Sequence, residues 1–340
     1  MITAAGLRAA EDDAIRAAVA MQESVGLQSI TDGEFRRRTW LADFVYEIGG
    51  IEPGAESGPP AAPETPGFVD LSGGMLFRIT AKLSMPHTIF GPDFAALKAM
   101  TTGGTPKLTI PSPSMVHYRA GREAIDESIY PDLEAFWSDL ADAYAAEVRG
   151  LYELGCTYLQ FDDTSLAYVN DPRQRDRIAR LGGDPTRQHL TYIETINAAL
   201  TAKPRGMTVT IHLCRGNLRS SWMAEGGYDF VAESLFGGLH VDGFFLEYDD
   251  TRSGGFEPLR FVPKGKLVVL GLVTSKRGEL EGKDDLKRRI DEASRFIDIN
   301  QLCLSPQCGF ASVVEGNLLT YDDEVAKLRI VVETAREVWG

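Results

Sequence analysis

Long hydrophobic runs are missing from this sequence. No apolar stretch approaches the ~18 residues that a membrane-spanning helix needs. Positive charge is also in short supply: 35 Lys and Arg stand against 49 Asp and Glu, for a formal net charge of −14. So acidic a chain is repelled by DNA, RNA and anionic membrane surfaces, and none of these is an expected partner. Cysteine is scarce, and the four residues present have no regular short spacing, so they make no disulfide framework. The opening residues, MITAAGLRAAEDDAIRAA, are acidic and helix-like, which does not fit a secretory signal. A cytoplasmic location with reduced thiols is the expectation. A Gly-x-Gly-x-x-Gly turn after the first predicted strand is missing too, which weakens dinucleotide binding.

What is there is ordinary for a globular protein. The chain has 340 residues, 44% of them hydrophobic and 25% charged, enough to bury one large core. A single domain over 1–340 is expected. Thr3 could cap a first helix bearing Leu7, Ile15, Ala18 and Val19, with Gly26 ending it. LQSITDGE reads as a strand. Residues 49–67, GGIEPGAESGPPAAPETPG, are too broken for regular structure and predict a lid or binding loop. LFRITAKL (76–83) suits one arm of a β-hairpin.

Beyond that, strands and helices alternate. KLTI (107–110), TYLQFD (157–162), MTVTIHLC (207–214), VDGFFLE (241–247), KLVVLGLV (266–273) and QLCLSP (301–306) read as strands. Helices are expected over Tyr130–Leu154, near 220–234, over Asp284–Phe296 and over Tyr321–Trp339. The alternation predicts a mostly parallel α/β sheet buried on both faces. A (β/α)8 barrel of the TIM type fits best, because polar residues cluster where strands end. Seven strands are well supported, one short of that barrel, and the chain opens on a helix where a strand should come first.

In such a barrel the active-site groups come from the C-terminal ends of several strands. Those ends carry Asp32 and Glu34, Ser112 and Ser114, Asp162 and Asp163, His212 and Cys214, Glu247, Thr274 to Lys276, and Cys308. His212 and Cys214 stand two apart in a strand and so point to one face. Alone, that pair is a weak signal, since buried Cys and satisfied His are common. Together with Glu247 and Cys308 it offers four donors of the kinds zinc takes, if the fold brings them together. Cys156 precedes its strand and Cys303 lies mid-strand, so both read as packing residues. Clustered acids at Glu34 and Asp162 could receive a substrate ammonium group, and Ser112 and Ser114 are candidate substrate contacts beside them. Arg36, Arg37 and Arg38 form a short basic run that is either surface charge or an anion contact.

The stretches ITDGEFRR (30–37), TIPSPSM (109–115), YLQFDDTSLAYV (158–169), IHLCRGN (211–217), FFLEYDD (244–250) and LSPQCGF (304–310) resemble the catalytic domain of cobalamin-independent methionine synthase. The likeness runs in order over most of the chain, and it is greatest to short, single-domain bacterial relatives. It implies a (β/α)8 barrel holding one catalytic Zn2+, with His212, Cys214, Glu247 and Cys308 as ligands. It also implies that Glu34 and Asp162 hold the amino group of homocysteine. The expected reaction moves a methyl group from a methylated folate-type donor to the homocysteine thiol. Glu247, an oxygen ligand, is the one expected to yield to an incoming sulfur.

Three departures accompany the resemblance. Relatives begin with a strand and a Gly-Ser turn, so a truncated start lacking strand one is expected here, with LFRITAKL as an added hairpin near 70–85. Full-length methionine synthase carries a second, N-terminal barrel, which nothing in this sequence supplies. Methionine synthases have a histidine after the seventh strand, where this chain reads GLVTSKRG (271–278). Two rival readings share the fold: a zinc-dependent thiol alkyltransferase of the epoxyalkane:coenzyme M transferase kind, and a metal-free enzyme like uroporphyrinogen decarboxylase. A third is a barrel whose zinc is only structural.

Overall fold

The computed structural model describes residues 2–54, 63–69 and 76–340. Strands β1 (Ser29–Ile30), β2 (Gly49–Pro53), β3 (Phe77–Ser84), β4 (Thr105–Pro106) and β5 (Leu108–Pro111) come first. They are followed by β6 (Tyr158–Asp163), β7 (Thr208–Leu213), β8 (Gly243–Glu247), β9 (Leu267–Val273) and β10 (Leu302–Pro306). Strands β5 to β10 form one six-stranded parallel sheet in chain order. β1 pairs in parallel with β4, and the Lys107 N–H donates to the Ile30 carbonyl just before β5 begins. Seven parallel lanes therefore follow one another without a reversal.

Hydrophobic content explains the sheet. In β9, LVVLGLV, every residue after Leu267 is buried, as expected for a parallel strand covered on both faces. Gly271 interrupts that run for a steric reason. A Cβ there would lie 2.8 Å from the Leu246 carbonyl oxygen and 2.9 Å from the Gln307 Cα, so only glycine lets the three segments approach.

Helix α1 (Ala4–Val25) starts and stops as its sequence dictates. The Thr3 hydroxyl accepts from the Gly6 N–H, and Gly26 ends the helix at φ +88°. Helix α2 (Leu133–Glu153) begins two residues after Pro131, because Asp132 caps it by accepting from the Glu134 and Ala135 N–H groups. Helix α3 (Tyr321–Trp339) matches its expected span and opens with a Thr320–Asp323 capping box.

Three expectations need correction. The TIM-type barrel, expected here without its first strand, is not closed: the seven lanes are those expected, and among the described residues no ladder joins β10 to β1. The architecture is a mixed α/β fold on a parallel sheet. Second, the stretch over 49–67, expected to lack regular structure, begins with a strand. β2 pairs antiparallel with β3, so LFRITAKL does have its hairpin partner. Residues 55–62 and 70–75 of the expected loop and hairpin lie outside the described residues. Third, the helix expected near 220–234 is confined to Ala232–Gly238. Positive φ angles at Arg219, Ser220 and Gly226 keep the preceding segment irregular.

Candidate metal centre

The sheet's C-terminal edge assembles the site. β7 ends in His212-Leu213 and continues to Cys214, while β10 is followed by Cys308, and the backbone brings the two together. The Cys214 and Cys308 Sγ atoms are 3.8 Å apart. Donor atoms of His212, Cys214 and Cys308 all lie within 4.8 Å of one another. Two thiolates on one tetrahedral zinc, at Zn–S ≈ 2.3 Å, stand about 3.8 Å apart. A disulfide would need about 2.05 Å, and all four cysteines are free.

The surroundings prepare the sulfurs to carry charge. The Gly216 N–H donates to Cys214 Sγ at 3.2 Å, and the Gln307 amide stands 4.0 Å from the same sulfur. Gly216 adopts φ +94°, and a Cβ there would collide with the Met223 sulfur, so the turn that delivers this N–H needs glycine. Cys308 is held well below the ordinary thiol range, first by the contact with Cys214 and further by His212 and Lys276. The same contact, with burial, pushes Cys214 well up. The pair thus gives up its first proton readily and its second with difficulty. Burial opposes charging of His212, but contact with Cys308 and the Asp162 and Glu247 carboxylates outweigh it and raise its pKa. Among the described residues, His212 Nε2 is buried without a hydrogen-bond partner. An orphaned imidazole nitrogen beside two thiols is a donor set that suits zinc.

Glu247 is placed next to this group but turned elsewhere. One carboxylate oxygen accepts from the Arg215 backbone N–H at 2.7 Å, and the other accepts from Lys276 Nζ at 3.2 Å. Burial pushes its carboxyl up, yet Lys276, Arg215 and Arg252 hold it down at about 2. Arg215, fully buried, ties the strand ends together by donating to the Gly226 and Glu247 carbonyls and to the Tyr228 hydroxyl.

The acids lie on the other side of His212. Asp162 is paired in register with His212 across β6 and β7, and its Oδ1 accepts from Gln160 Nε2 at 2.6 Å. Burial raises the Asp162 carboxyl despite the pull of His212 and Lys107. Glu34 follows Gly33 in a turn where both residues have positive φ, +57° for Glu34. Its carboxylate accepts from Arg37 at 3.0 Å and from the Thr109 hydroxyl at 2.5 Å. Enclosure raises the Glu34 carboxyl against the pull of Arg37, and nearby Asp162 adds to the rise. Arg37 is thus the member of the basic run that enters the site, while Arg36 pairs with Asp12 and Asp93.

Ser112 and Ser114 are fully buried. Their hydroxyls are 2.8 Å apart, and Ser114 donates to Asp163, which also accepts from Ser165 and the Leu166 N–H. They brace the ends of β5 and β6. Sequence reasoning assigned no role to Arg215, Gln307 or Lys276. A lone cation or amide has no spacing signature, although Lys276 does stand at the end of a predicted strand.

The model of the cobalamin-independent synthase catalytic domain matches residues 2–337. The chain belongs to this family. It is 46% identical over 349 residues to the uncharacterized Bacillus subtilis protein YxjH, spanning 99% of this chain and 88% of that one. It is 26% identical over 302 residues to a methionine synthase of Pyrococcus abyssi, covering 87% of this chain and 75% of the relative. Among solved structures it is similar to a Listeria monocytogenes protein assigned provisionally as a vitamin-B12-independent methionine synthase. That likeness has a TM-score of 0.78 and 38% identity, over 100% of this chain and 90% of the other. Membership in the cobalamin-independent synthase family points to methyl transfer. No helix among the described residues is long and apolar enough to cross a membrane.

Proposed function

We propose that this chain is a zinc-dependent methyltransferase that moves a methyl group from a methylated folate-type donor to the thiol of homocysteine, giving methionine. The observation that carries the reading is the His212–Cys214–Cys308 group, whose 3.8 Å sulfur spacing matches thiolates sharing a tetrahedral ion. These three residues would hold the zinc, with Glu247 within reach as a fourth ligand. Zinc supplies a lowered pKa for a bound thiol, so that the acceptor is present as thiolate at neutral pH. Asp162 and Glu34 receive the acceptor's ammonium group, which sets its sulfur toward His212. Gly216 and Gln307 orient Cys214, and Arg215 fixes the distance between the ends of β7 and β8. We assign Ser112 and Ser114 to the brace that carries Asp163 rather than to direct substrate contact. The seven-lane sheet is read as a TIM-type barrel one strand short of closure, with the site at its C-terminal mouth.

Metal content and zinc-edge absorption spectra test this reading. Purified protein should carry about one zinc per chain, Cys308→Ser should lose most of it, and homocysteine should add a sulfur to the coordination shell. Methyl transfer from 5-methyltetrahydrofolate to homocysteine should follow the zinc content. Folded protein without zinc, or a shell that homocysteine leaves unchanged, would defeat the proposal. A preference for coenzyme M over homocysteine would move the chain to the thiol alkyltransferases.

A further inference from the structure

Charge is unevenly placed on this chain. Against a net charge of −14, the nine-residue helix Pro172–Arg180, PRQRDRIAR, concentrates arginine. Arg173, Arg177 and Arg180 stand at i, i+4 and i+7 and so share one helix face. The opposite face is anchored in the protein. Gln174 and Ile178 are buried, and Gln174 donates to the Met223 carbonyl and accepts from the Tyr118 hydroxyl, both at 2.7 Å. Phe68 faces the arginines and is held in place by the neighbouring Val69 N–H, which donates to the Trp222 carbonyl at 2.7 Å. Between Phe68 and the helix lies a cleft of about 210 Å3, and among the described residues Asp176 is the one acid that lines it.

The guanidiniums are not equivalent. Arg173 lies 3.8 Å over the Phe68 ring and is neutralised by Asp171 at 2.6 Å, with Glu225 at 3.3 Å. Arg177 is steadied by the Tyr118 ring, 5.1 Å away, and by one bond to the Tyr118 carbonyl at 3.1 Å. Among the described residues no carboxylate pairs with Arg177 or Arg180, whereas Arg173 beside them has two. The cleft also adjoins the turn that supports the metal centre. Met223, whose carbonyl Gln174 holds, donates its own N–H to the Arg215 carbonyl at 2.9 Å, and its sulfur packs against Gly216.

We propose that this cleft is an anion site in which Arg177 and Arg180 take a doubly charged acidic group, a dicarboxylate or a phosphate. Planar guanidiniums match the oxygens of such groups two at a time. Asp176 offsets part of their charge, so a single carboxylate gains little there and a group with two negative charges gains most. That chemistry has two sources, a free small anion or the acidic end of the methyl donor, whose folate-type structure finishes in carboxylates.

The test titrates the full chain with glutarate and with inorganic phosphate, by calorimetry at fixed ionic strength. Saturable binding of at least one probe is expected. Arg180→Glu should weaken it at least about tenfold, since a charge-assisted bond is lost and a repulsion added. Asp176→Asn should tighten it about threefold, the size expected of one exposed charge. Misfolding cannot produce that gain, and both residues are exposed, so both variants should fold. A second arm measures the KM for 5-methyltetrahydrofolate and for 5-methyltetrahydropteroate, which lacks the glutamate. If Arg180→Glu raises only the first, the donor's acidic end is the ligand. If probe binding falls while both KM values hold, the site serves a free anion. No saturable binding of either probe, or binding that both variants leave unchanged, would overturn the proposal. The titrations need neither zinc nor turnover, so their failure is separate from that of the zinc reading, and only the second arm rests on methyl transfer.

Discussion

Asp162 and His212 occupy directly opposed positions on the neighbouring strands β6 and β7. Facing residues in parallel register share a sheet face, so a carboxylate and a candidate metal ligand are held a fixed distance apart by backbone hydrogen bonds. An amino-acid thiol that places its ammonium on Asp162 has its sulfur directed to the His212 side. The spacing is built into the sheet rather than into mobile side chains.

That arrangement makes Asp162→Asn informative. Losing one charge-assisted hydrogen bond should raise the KM for homocysteine about 10- to 100-fold and leave zinc content unchanged. Because burial raises the Asp162 carboxyl, the unmodified enzyme should bind homocysteine better as pH rises through that shifted value. The asparagine variant should lack this pH dependence. Equal KM values, or loss of zinc in the variant, would show that Asp162 serves the metal side and not the ammonium.

The site was legible where chemistry follows strand ends. His212, Cys214 and Cys308 could be found because apolar runs such as MTVTIHLC and QLCLSP locate the sheet edge on which donors collect. Helix α1 was legible from its Thr3 cap, its apolar stripe and its terminal Gly26. Strand β2 was not, because GGIEP carries turn residues, and only pairing with β3 makes it a strand. The seven strands read from the sequence agree with the seven lanes of the sheet, whereas closure depends on how the assembled sheet curls, which no local pattern shows. Glu247 lies near the cluster, but the direction its carboxylate takes depends on Lys276 and Arg215, which come from other segments. Ion pairs of that kind have no local pattern to read.

Gly271 ties the fold to the site. In Gly271→Ala the new methyl group would meet two backbone segments, the Leu246 carbonyl and Gln307, which cannot rotate away as a side chain would. The substitution should cost about 1–3 kcal/mol in urea denaturation, as overpacking does. It should also weaken zinc binding, because Gln307 precedes Cys308. A variant of full stability and full zinc affinity would mean that β8 and β9 can move apart freely.

Thiol reactivity gives a third check. Among the four cysteines, Cys308 is half-buried and is the one whose thiol is held well below its ordinary range, chiefly by Cys214. Burial pushes Cys156 up to about 12 and raises Cys303 as well. In metal-free protein, iodoacetamide should therefore label Cys308 first, as thiolate reactivity requires. Saturating zinc should slow that labelling at least about tenfold while leaving Cys303 unaffected. Peptide mapping by mass spectrometry distinguishes the sites, and zinc-independent labelling of Cys308 would count against its role as a ligand.

Away from the centre, Glu147 should govern part of the pH dependence of stability. It lies fully buried in helix α2 and accepts from the Ile89 and Phe90 N–H groups at 2.9 and 3.3 Å. Burial outweighs those two bonds and pushes its carboxyl from the ordinary 4.5 up to about 7. A carboxyl raised on folding favours the native state in its protonated form. Its contribution is fully present below pH 4.5 and is lost as pH rises through about 7. The loss amounts to about 3 kcal/mol at 1.36 kcal/mol per pH unit. Glu147→Gln keeps an acceptor oxygen for the two N–H groups and cannot ionise. Urea denaturation from pH 5 to 8 should show the unmodified chain losing stability relative to the variant, which should be the more stable of the two at pH 8. Parallel curves would mean that Glu147 ionises as easily in the folded chain as in the unfolded one, and that the N–H bonds, not burial, decide its charge.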